Sequence, residues 1–190
     1  MPTVPALSCP RSRWTLSNHL QLMQAADLAV WQQHRAGESR LGAALQFLNP
    51  LLPLEDALAS AVQHGCRYVL LGIPEDIGPR ANLGNGGADQ GFAAFLSRFI
   101  NLQDNGFAKS GELLLAGTIA CADLQQQSQS LDSNDANQLA QLRALCAELD
   151  LRVSSVLRAC FDSGLVPIVI GGGHNNALPI LQALAAHAGQ

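Results

Sequence analysis

Residues Leu165–Asn176, LVPIVIGGGHNN, decide the fold. Within them, Val166–Ile170 is an almost wholly apolar run rich in β-branched residues, which is typical of a strand buried on both faces of a parallel sheet. The three consecutive glycines that follow permit a tight turn and close backbone approaches that any Cβ atom would block. We therefore expect the strand to end in a glycine turn that presents the next residue, His174, at its mouth.

His174 has two interpretations. Ligands of open α/β sheets bind at the carboxyl ends of the strands, so a histidine placed there could serve as a metal ligand or as a general base. Alternatively, the glycine turn simply joins strand to helix, and His174 caps or packs. Asn175 and Asn176 could then cap the next helix. The pattern alone leaves both interpretations open.

Composition excludes several classes of protein. The chain has 190 residues, of which 48% are hydrophobic and 14% charged, and its net charge is −4, so it can form one large core or part of a larger domain. The basic residues are scattered, and we therefore expect no nucleic-acid partner. No apolar run reaches the roughly 20 residues of a membrane-spanning helix. Because the N-terminus lacks a signal pattern, we predict a cytoplasmic protein with no membrane partner.

The cysteines and most histidines show no pattern of a metal site. The cysteines are odd in number and lack a C-x-x-C pair, so we expect buried, reduced thiols. Four histidines other than His174 are interpreted as structural or solvent-exposed: His19, His34, His64 and His187.

Apolar patterns and breaker residues predict the order of elements. We expect an extended arm over 1–16, helices over 18–35, 53–64, 92–99 and 139–162, a weaker helical pattern over 40–48, strands over 66–73, 113–119 and 166–170, a long glycine-rich loop over 74–91 and a polar surface excursion over 121–138. Strands that alternate with helices indicate an α/β protein with a parallel sheet and right-handed crossovers. We predict a single domain over 1–190.

The glycine-rich loop carries further candidate residues. Glu75, Asp76 and Asp89 could be ligands or general bases, although acids in such loops are also turn formers and helix caps. Arg80 could pair with one of the first two acids, or hold a substrate carboxylate in a bidentate clamp. A nucleotide site is disfavoured because neither G-x-G-x-x-G nor G-x-x-x-x-G-K-[ST] occurs.

Two segments together resemble one family. IPEDIGPRANLGNGGADQGFAAFLSRFINLQDN, from Ile73, is followed later by VIGGGHNNALPI, from Val169. This pair of segments, in this order, resembles the arginase superfamily of manganese hydrolases, and most closely its formimidoylglutamase-like branch. The resemblance extends over roughly residues 68–185.

The resemblance implies a fold and a chemistry. The fold would be a three-layer α/β/α structure with a mainly parallel sheet and two Mn²⁺ ions at the carboxyl ends of its strands. The reaction would be hydrolysis of the C–N bond of a linear amidine or guanidine, with N-formimidoyl-L-glutamate giving L-glutamate and formamide as the nearest case. His174 matches the first metal-binding histidine of the superfamily.

Two departures from the family pattern limit this expectation. Gly173 stands where most of the superfamily has Asp, and the Asp-x-His-x-Asp and Asp-x-Asp motifs that carry the remaining ligands do not occur. We therefore expect a fold that is incomplete at its C-terminal side and that does not hold the metal pair by itself. An exposed sheet edge would favour a homo-oligomer. The alternative is a catalytically inactive α/β module that acts through subunit or protein association.

Overall fold

A computed structural model describes residues 15–17, 19–33, 37–105 and 109–189. The strands are β1 (Thr15–Ser17), β2 (Leu20–Leu22), β3 (Gln46–Phe47), β4 (Tyr68–Gly72), β5 (Leu113–Ile119) and β6 (Val166–Ile170). The helices are α1 (Ala25–Leu28), α2 (Leu54–Gln63), α3 (Ile77–Ala81), α4 (Gly91–Phe99), α5 (Ala122–Ser128), α6 (Ala136–Asp162) and α7 (Ala177–Ala188). Short 3₁₀ turns lie at Leu41–Ala43, Ala88–Gln90, Ser110–Glu112 and His174–Asn176.

The described strands form one mixed sheet whose order is β1-β2-β5-β4-β6, with β3 also paired to β5. The strands β3, β4, β5 and β6 are parallel, as the alternation of strands and helices predicts. Tyr68 in β4 stands opposite Leu113 on one side and Val166 on the other. The hairpin of β1 and β2 adds an antiparallel edge that the sequence pattern did not predict.

Helices cover both faces of the sheet. Val69 and Leu71 of β4 point into a core with α2 and α6, whereas Leu70 between them points into a second core with α1 and α4. This alternation follows from the two-residue period of a strand, and all three side chains are at most 1% exposed. The three-layer α/β/α fold is therefore confirmed.

Local signals set the ends of the main helices. The Asp135 carboxylate caps α6 by accepting hydrogen bonds from the backbone N–H groups of Asn137 and Gln138 at 3.0 and 2.9 Å. Gly65 and Gly164 follow α2 and α6 with φ of +93° and +85°, a left-handed conformation that glycine adopts at little cost. The two glycine stops were predicted from the sequence, whereas α6 begins at Ala136, three residues before the predicted start, because of the Asp135 cap.

The predicted helix over 18–35 is wrong. Leu20–Leu22 is a strand that pairs antiparallel with β5, and among the described residues of this stretch only Ala25–Leu28 is helical. The pairing depends on Gly117 of β5, whose φ is +133° and whose hypothetical Cβ would lie 2.1 Å from the Gln21 carbonyl oxygen. This contact with β5 overrides the local helical pattern, which a single-sequence pattern cannot show.

Other predictions near the N-terminus have mixed outcomes. The weak helical pattern over 40–48 is only a 3₁₀ turn followed by β3. The predicted arm falls mostly on residues 1–14, which include Cys9 and lie outside the described residues. His34 also lies outside them. Thr15–Ser17, at its end, belongs to β1.

The two segments predicted as a loop and an excursion contain ordered structure. The stretch 74–91 includes α3 and a 3₁₀ turn, and 121–138 includes α5. Leu124 and Ser128 of α5 are buried, which corrects the prediction of a surface excursion there. Apolar residues are too few in this Gln- and Ser-rich stretch to signal a packed helix.

The prediction that β6 is buried on both faces is also wrong. Val166 is 54% exposed and Ile168 is 39% exposed. The reason is position, because β6 is the last strand in the sheet order and pairs only with β4 among the described residues. The apolar run thus indicates a strand suited to burial whose outer side is open in this chain.

The remaining sequence-level expectations concern thiols and membranes. Cys66, Cys121 and Cys160 are buried and carry free thiols, which confirms the prediction for these three. Cys146 also carries a free thiol but is only half-buried. Within the described ranges, no helix combines the length and apolar character needed to cross a bilayer.

Candidate functional site

The glycine turn after β6 presents His174 at the carboxyl edge of the sheet. Gly171 and Gly172 have φ of +114° and +60°, and a Cβ on Gly171 would lie 2.9 Å from the Ile73 carbonyl oxygen. Only glycine suits both positions. His174 opens the 3₁₀ turn that precedes α7, and its side chain is exposed. The sequence-based prediction of this placement is confirmed.

Glu75 lies beneath the turn and is fully buried. Its Oε1 accepts hydrogen bonds from the backbone N–H of Gly173 at 2.5 Å and from Asn176 Nδ2 at 2.7 Å. Its Oε2 accepts a hydrogen bond from the backbone N–H of Gly78 at 2.9 Å. We call Glu75 and these three donor residues the Glu75 clamp. Of the open roles for Glu75, this geometry favours an internal anchor over an exposed ligand.

The Glu75 clamp also bears on phosphate binding. Backbone N–H groups of glycine turns and helix starts are the usual donors to phosphate. Here, the N–H groups of Gly173 and Gly78 already point at a protein carboxylate. This arrangement agrees with the absence of a nucleotide motif.

Asp76, next to Glu75, fastens different parts of the chain. Its Oδ1 accepts a hydrogen bond from Gln125 Nε2 at 2.7 Å, and its Oδ2 accepts one from the backbone N–H of Gly87 at 2.9 Å. Its own backbone N–H donates to Gln125 Oε1 at 3.2 Å. Asp76 thus binds the glycine-rich loop to α5, and both donors to its carboxylate lie outside the Glu75 clamp.

Arg80 is engaged with α5 and the residues after it. Its Nη2 donates to the backbone carbonyls of Ser128 at 2.8 Å and Leu131 at 2.6 Å, and its Nη1 donates to Ser128 Oγ at 3.1 Å. Asp76 lies 3.9 Å from Nη1. Of the open roles for Arg80, these contacts favour the structural one, because both Nη groups are already bonded to the protein.

Asp89 is part of a local turn. Its Oδ2 accepts a hydrogen bond from Gln90 Nε2 at 2.6 Å within the 3₁₀ turn Ala88–Gln90. The next residue, Gly91, packs beside the glycine turn, because its hypothetical Cβ would lie 3.7 Å from Gly171 Cα. The loop 74–91 therefore supports the carboxyl end of β6.

The negative charge of Glu75 contributes to raised pKa values of neighbouring side chains. Burial, and then the charge of Glu75, raise the pKa of Cys121 to about 12. The same two causes, in the same order, raise the pKa of Cys146 to about 11 and raise the pKa of Asp150. Both thiols therefore stay protonated at neutral pH, which argues against a thiolate nucleophile here.

Comparisons with known proteins identify the family. A model of the "Arginase family" matches residues 66–190, which include both the glycine-rich loop and the glycine turn. The chain belongs to the arginase family. The formimidoylglutamase of Aromatoleum aromaticum is 31% identical to it over 120 residues, which are 63% of this chain but 31% of that protein. The match thus spans less than a third of the curated relative's length.

The described residues of this arginase-family chain do not by themselves fit a pair of metal ions. His174 is exposed at the expected edge, but no group of three or more His, Cys, Asp or Glu side chains is arranged to hold a metal ion in the described ranges. Glu75 and Asp76 follow the carboxyl end of β4 in the sequence, but their carboxylate oxygens already accept hydrogen bonds from the protein. His64 is exposed on another element, and His187 Nδ1 lies 2.8 Å from Asp162 Oδ1.

At position 173, where this chain has Gly instead of the Asp expected from the family resemblance, the packing leaves little room for a side chain. A Cβ on Gly173 would lie 2.2 Å from Asn175 Oδ1 and 2.4 Å from Pro79 Cδ. A Cβ on Gly78 would lie 1.8 Å from the same Asn175 oxygen. The Asn175 amide therefore occupies the space that side chains at these two positions would need.

Two asparagines have roles that sequence reasoning missed. Asn176 occupies the N-cap position of α7, but its side chain makes no capping bond and donates instead to Glu75 and to the Gly173 carbonyl oxygen. Both polar atoms of the Asn175 side-chain amide are buried and have no hydrogen-bond partner among the residues that the structure describes. The two adjacent asparagines were the available signal, and the local pattern suggested that they cap the next helix. The bond to Glu75 could not be predicted, because this carboxylate is distant in sequence.

Proposed function

We propose that this arginase-family chain is part of a manganese-dependent hydrolase that cleaves the C–N bond of a linear amidine or guanidine. The proposed substrate is N-formimidoyl-L-glutamate, and water converts it to L-glutamate and formamide. The observation that carries the proposal is the exposed His174, held by a glycine turn at the carboxyl edge of a parallel sheet. The similarity to a formimidoylglutamase supports the substrate.

Within this proposal, His174 is one manganese ligand and the glycine-rich loop supports it. Mn²⁺ accepts imidazole together with carboxylate ligands. Because the described residues contain no group of three or more His, Cys, Asp or Glu side chains that could hold a metal ion, the other ligands are proposed to come from outside them. We further propose that residues 1–190 belong to one domain, since the two cores of the described part share β4.

The test compares this chain with a version extended by its downstream reading frame. We expect the extended protein to hold about two Mn²⁺ per subunit and to release formamide from N-formimidoyl-L-glutamate. His174→Asn in the extended protein should lower manganese content and reduce formamide release at least about 100-fold. The control is His64→Asn, an exposed histidine at the end of α2, which should leave both values unchanged. Undiminished manganese in the His174 variant would contradict the proposal.

A second candidate function is that of an inactive module that associates with other subunits. The observation in its favour is exposed apolar surface on β6 and α7, where Val166 is 54% and Leu181 is 63% exposed. If both lengths of chain are metal-free and inert toward amidines, yet form a stable assembly in sedimentation, this candidate is the better one. Release of formamide by the extended protein excludes it.

A further inference from the structure

We propose that Glu75 is a positioning residue whose buried carboxylate fixes the glycine turn and thereby sets the place and direction of His174. The functional meaning of this position rests on the proposed role of His174 as a ligand. The positional effect itself is a property of the metal-free chain and can be measured there.

The geometry joins two chain segments that are distant in sequence at one carboxylate. Glu75 follows β4, its donor Gly78 lies in α3, and its other donors, Gly173 and Asn176, lie 98 and 101 residues further along the chain. His174 stands between these last two donors. The residue before His174 is held through its backbone N–H, and the residue two positions after it through its side chain. The backbone that carries the imidazole is therefore restrained on both sides.

Charge and burial make these bonds hard to break. Glu75 is fully buried, and within the described ranges no Lys, Arg or His forms an ion pair with it. A buried carboxylate without such a pair depends on its hydrogen-bond donors, and bonds to an ionised acceptor are stronger than neutral ones. Loss of one donor would leave part of the charge uncompensated. The clamp therefore resists opening of the turn.

The turn needs an external restraint because of its composition. Glycine has more backbone freedom than any other residue, and three glycines directly precede His174. Backbone pairing of β6 ends at Ile170, opposite Gly72, so the sheet does not restrain residues 171–173. Beyond that point, Glu75 supplies the first bond to the turn's N–H groups, at Gly173. It thus acts on His174 through the backbone.

Neighbouring Asp76 offers a matched control. It is also buried, at 9% exposure, and it accepts two side-chain hydrogen bonds where Glu75 accepts three. The donors to Asp76 are Gln125 and Gly87 rather than residues of the turn. Glu75→Gln and Asp76→Asn both remove one charge at nearly constant shape. A general loss of stability should follow from both changes, whereas a change in the turn should follow only from the first.

The experiment is nuclear magnetic resonance on the metal-free chain. The readouts are the hydrogen-exchange rate of the Gly173 amide and the imidazole Cε1–H chemical shift of His174, assigned with His174→Asn. In Glu75→Gln, we expect the Gly173 amide to exchange at least about tenfold faster and the imidazole signal to move. In Asp76→Asn, both values should stay close to those of the wild type.

A second variant keeps the test decisive if Glu75→Gln does not fold. Asn176→Ser removes one donor but leaves the carboxylate, and it should shift the same two signals by a smaller amount. Equal effects of the Glu75 and Asp76 variants, or unchanged signals in both clamp variants, would overturn the inference. If the clamp variants move His174 while the extended protein releases no formamide, the positional inference stands and the proposed function fails.

Discussion

At the scale of single residues, the candidate site depends on the three glycines that precede His174. Gly171 and Gly172 adopt left-handed conformations, whereas Gly173 has an ordinary φ of −81° and is glycine for steric reasons. The rigid Pro79 ring and the buried Asn175 amide leave no room for a Cβ at position 173. His174 itself was predictable, because its place follows from an adjacent strand and turn. The contacts of Glu75 were not, because its donors at 173 and 176 are about a hundred residues away.

A prediction at this scale concerns Gly173. Gly173→Ala should lower the free energy of unfolding by about 1–3 kcal/mol, because the added methyl group overpacks against Pro79 and Asn175. The measurement is urea denaturation. The control is Gly111→Ala, because a Cβ there meets nothing within 4 Å and the φ of Gly111 is not left-handed. Equal stability of the two variants would show that the turn relaxes freely.

At the scale of elements, the sequence-based predictions agree with the structure where the local sequence pattern is strong. The strands β4, β5 and β6 and the helices α2, α4 and α6 were predicted from continuous apolar runs, helical periodicity and glycine stops, all of which are local. Leu20–Leu22 was not, because its strand conformation depends on pairing with Thr118 and its neighbours in β5. The helix α5 was missed because it is fastened by polar contacts, such as those of Arg80 and Asp76, rather than by a broad apolar face.

A prediction at this scale concerns the bridge between α5 and α6. Arg152 Nη1 and Nη2 donate to the two carboxylate oxygens of Asp123 at 2.7 and 2.8 Å. The hydrogen bond from Arg152 lowers the pKa of Asp123 below its ordinary value of 3.8. Its contribution to stability is therefore present above about pH 3.8 and is lost as the pH falls through the lower, folded-state pKa.

Asp123→Asn should accordingly lower the melting temperature at pH 7 and reduce the steepness of the loss of stability below pH 4. Because the Asp123 side chain is 56% exposed, solvent screens the pair and the loss at pH 7 should be below about 1 kcal/mol. The measurement is thermal unfolding from pH 2.5 to 7. Asp56→Asn, at an exposed position in the first turn of α2, is the control, and it should leave the loss of stability below pH 4 as steep as in the wild type. If stability falls as steeply below pH 4 in the Asp123 variant as in the wild type, the bridge does not form.

At the scale of the whole molecule, the fold leaves apolar surface uncovered on one side. β6 is the last strand in the described sheet order, and α7 packs on α6 while Leu178, Leu181 and Leu184 remain 55%, 63% and 43% exposed. These leucines recur every three residues, so they lie along one side of α7. Layering and the parallel sheet were predictable from the alternation of elements. The place of β6 at the edge was not, because a strand's apolar run does not reveal how many neighbours it has.

The prediction at this scale is self-association of the chain expressed alone. We expect a second copy to cover the exposed leucines of α7, since burial of a leucine side chain contributes about 1.5–3 kcal/mol. The double variant Leu178→Ser and Leu181→Ser should shift the sedimentation profile toward monomer. Leu51→Ser, which changes an 81% exposed leucine before α2, is the control. A wild-type chain that is monomeric at all concentrations would disprove the expectation.

The amino-acid sequence by itself determined the α/β class, the main strands and helices, the family resemblance and the position of His174 after a glycine turn. These properties depend on neighbouring residues and on hydrophobic period, which a single chain displays directly. Only the tertiary structure decided the antiparallel hairpin, the open edge of β6 and the anchoring role of Glu75. The reason is that each of these depends on groups far apart in sequence, which the order of residues alone does not pair.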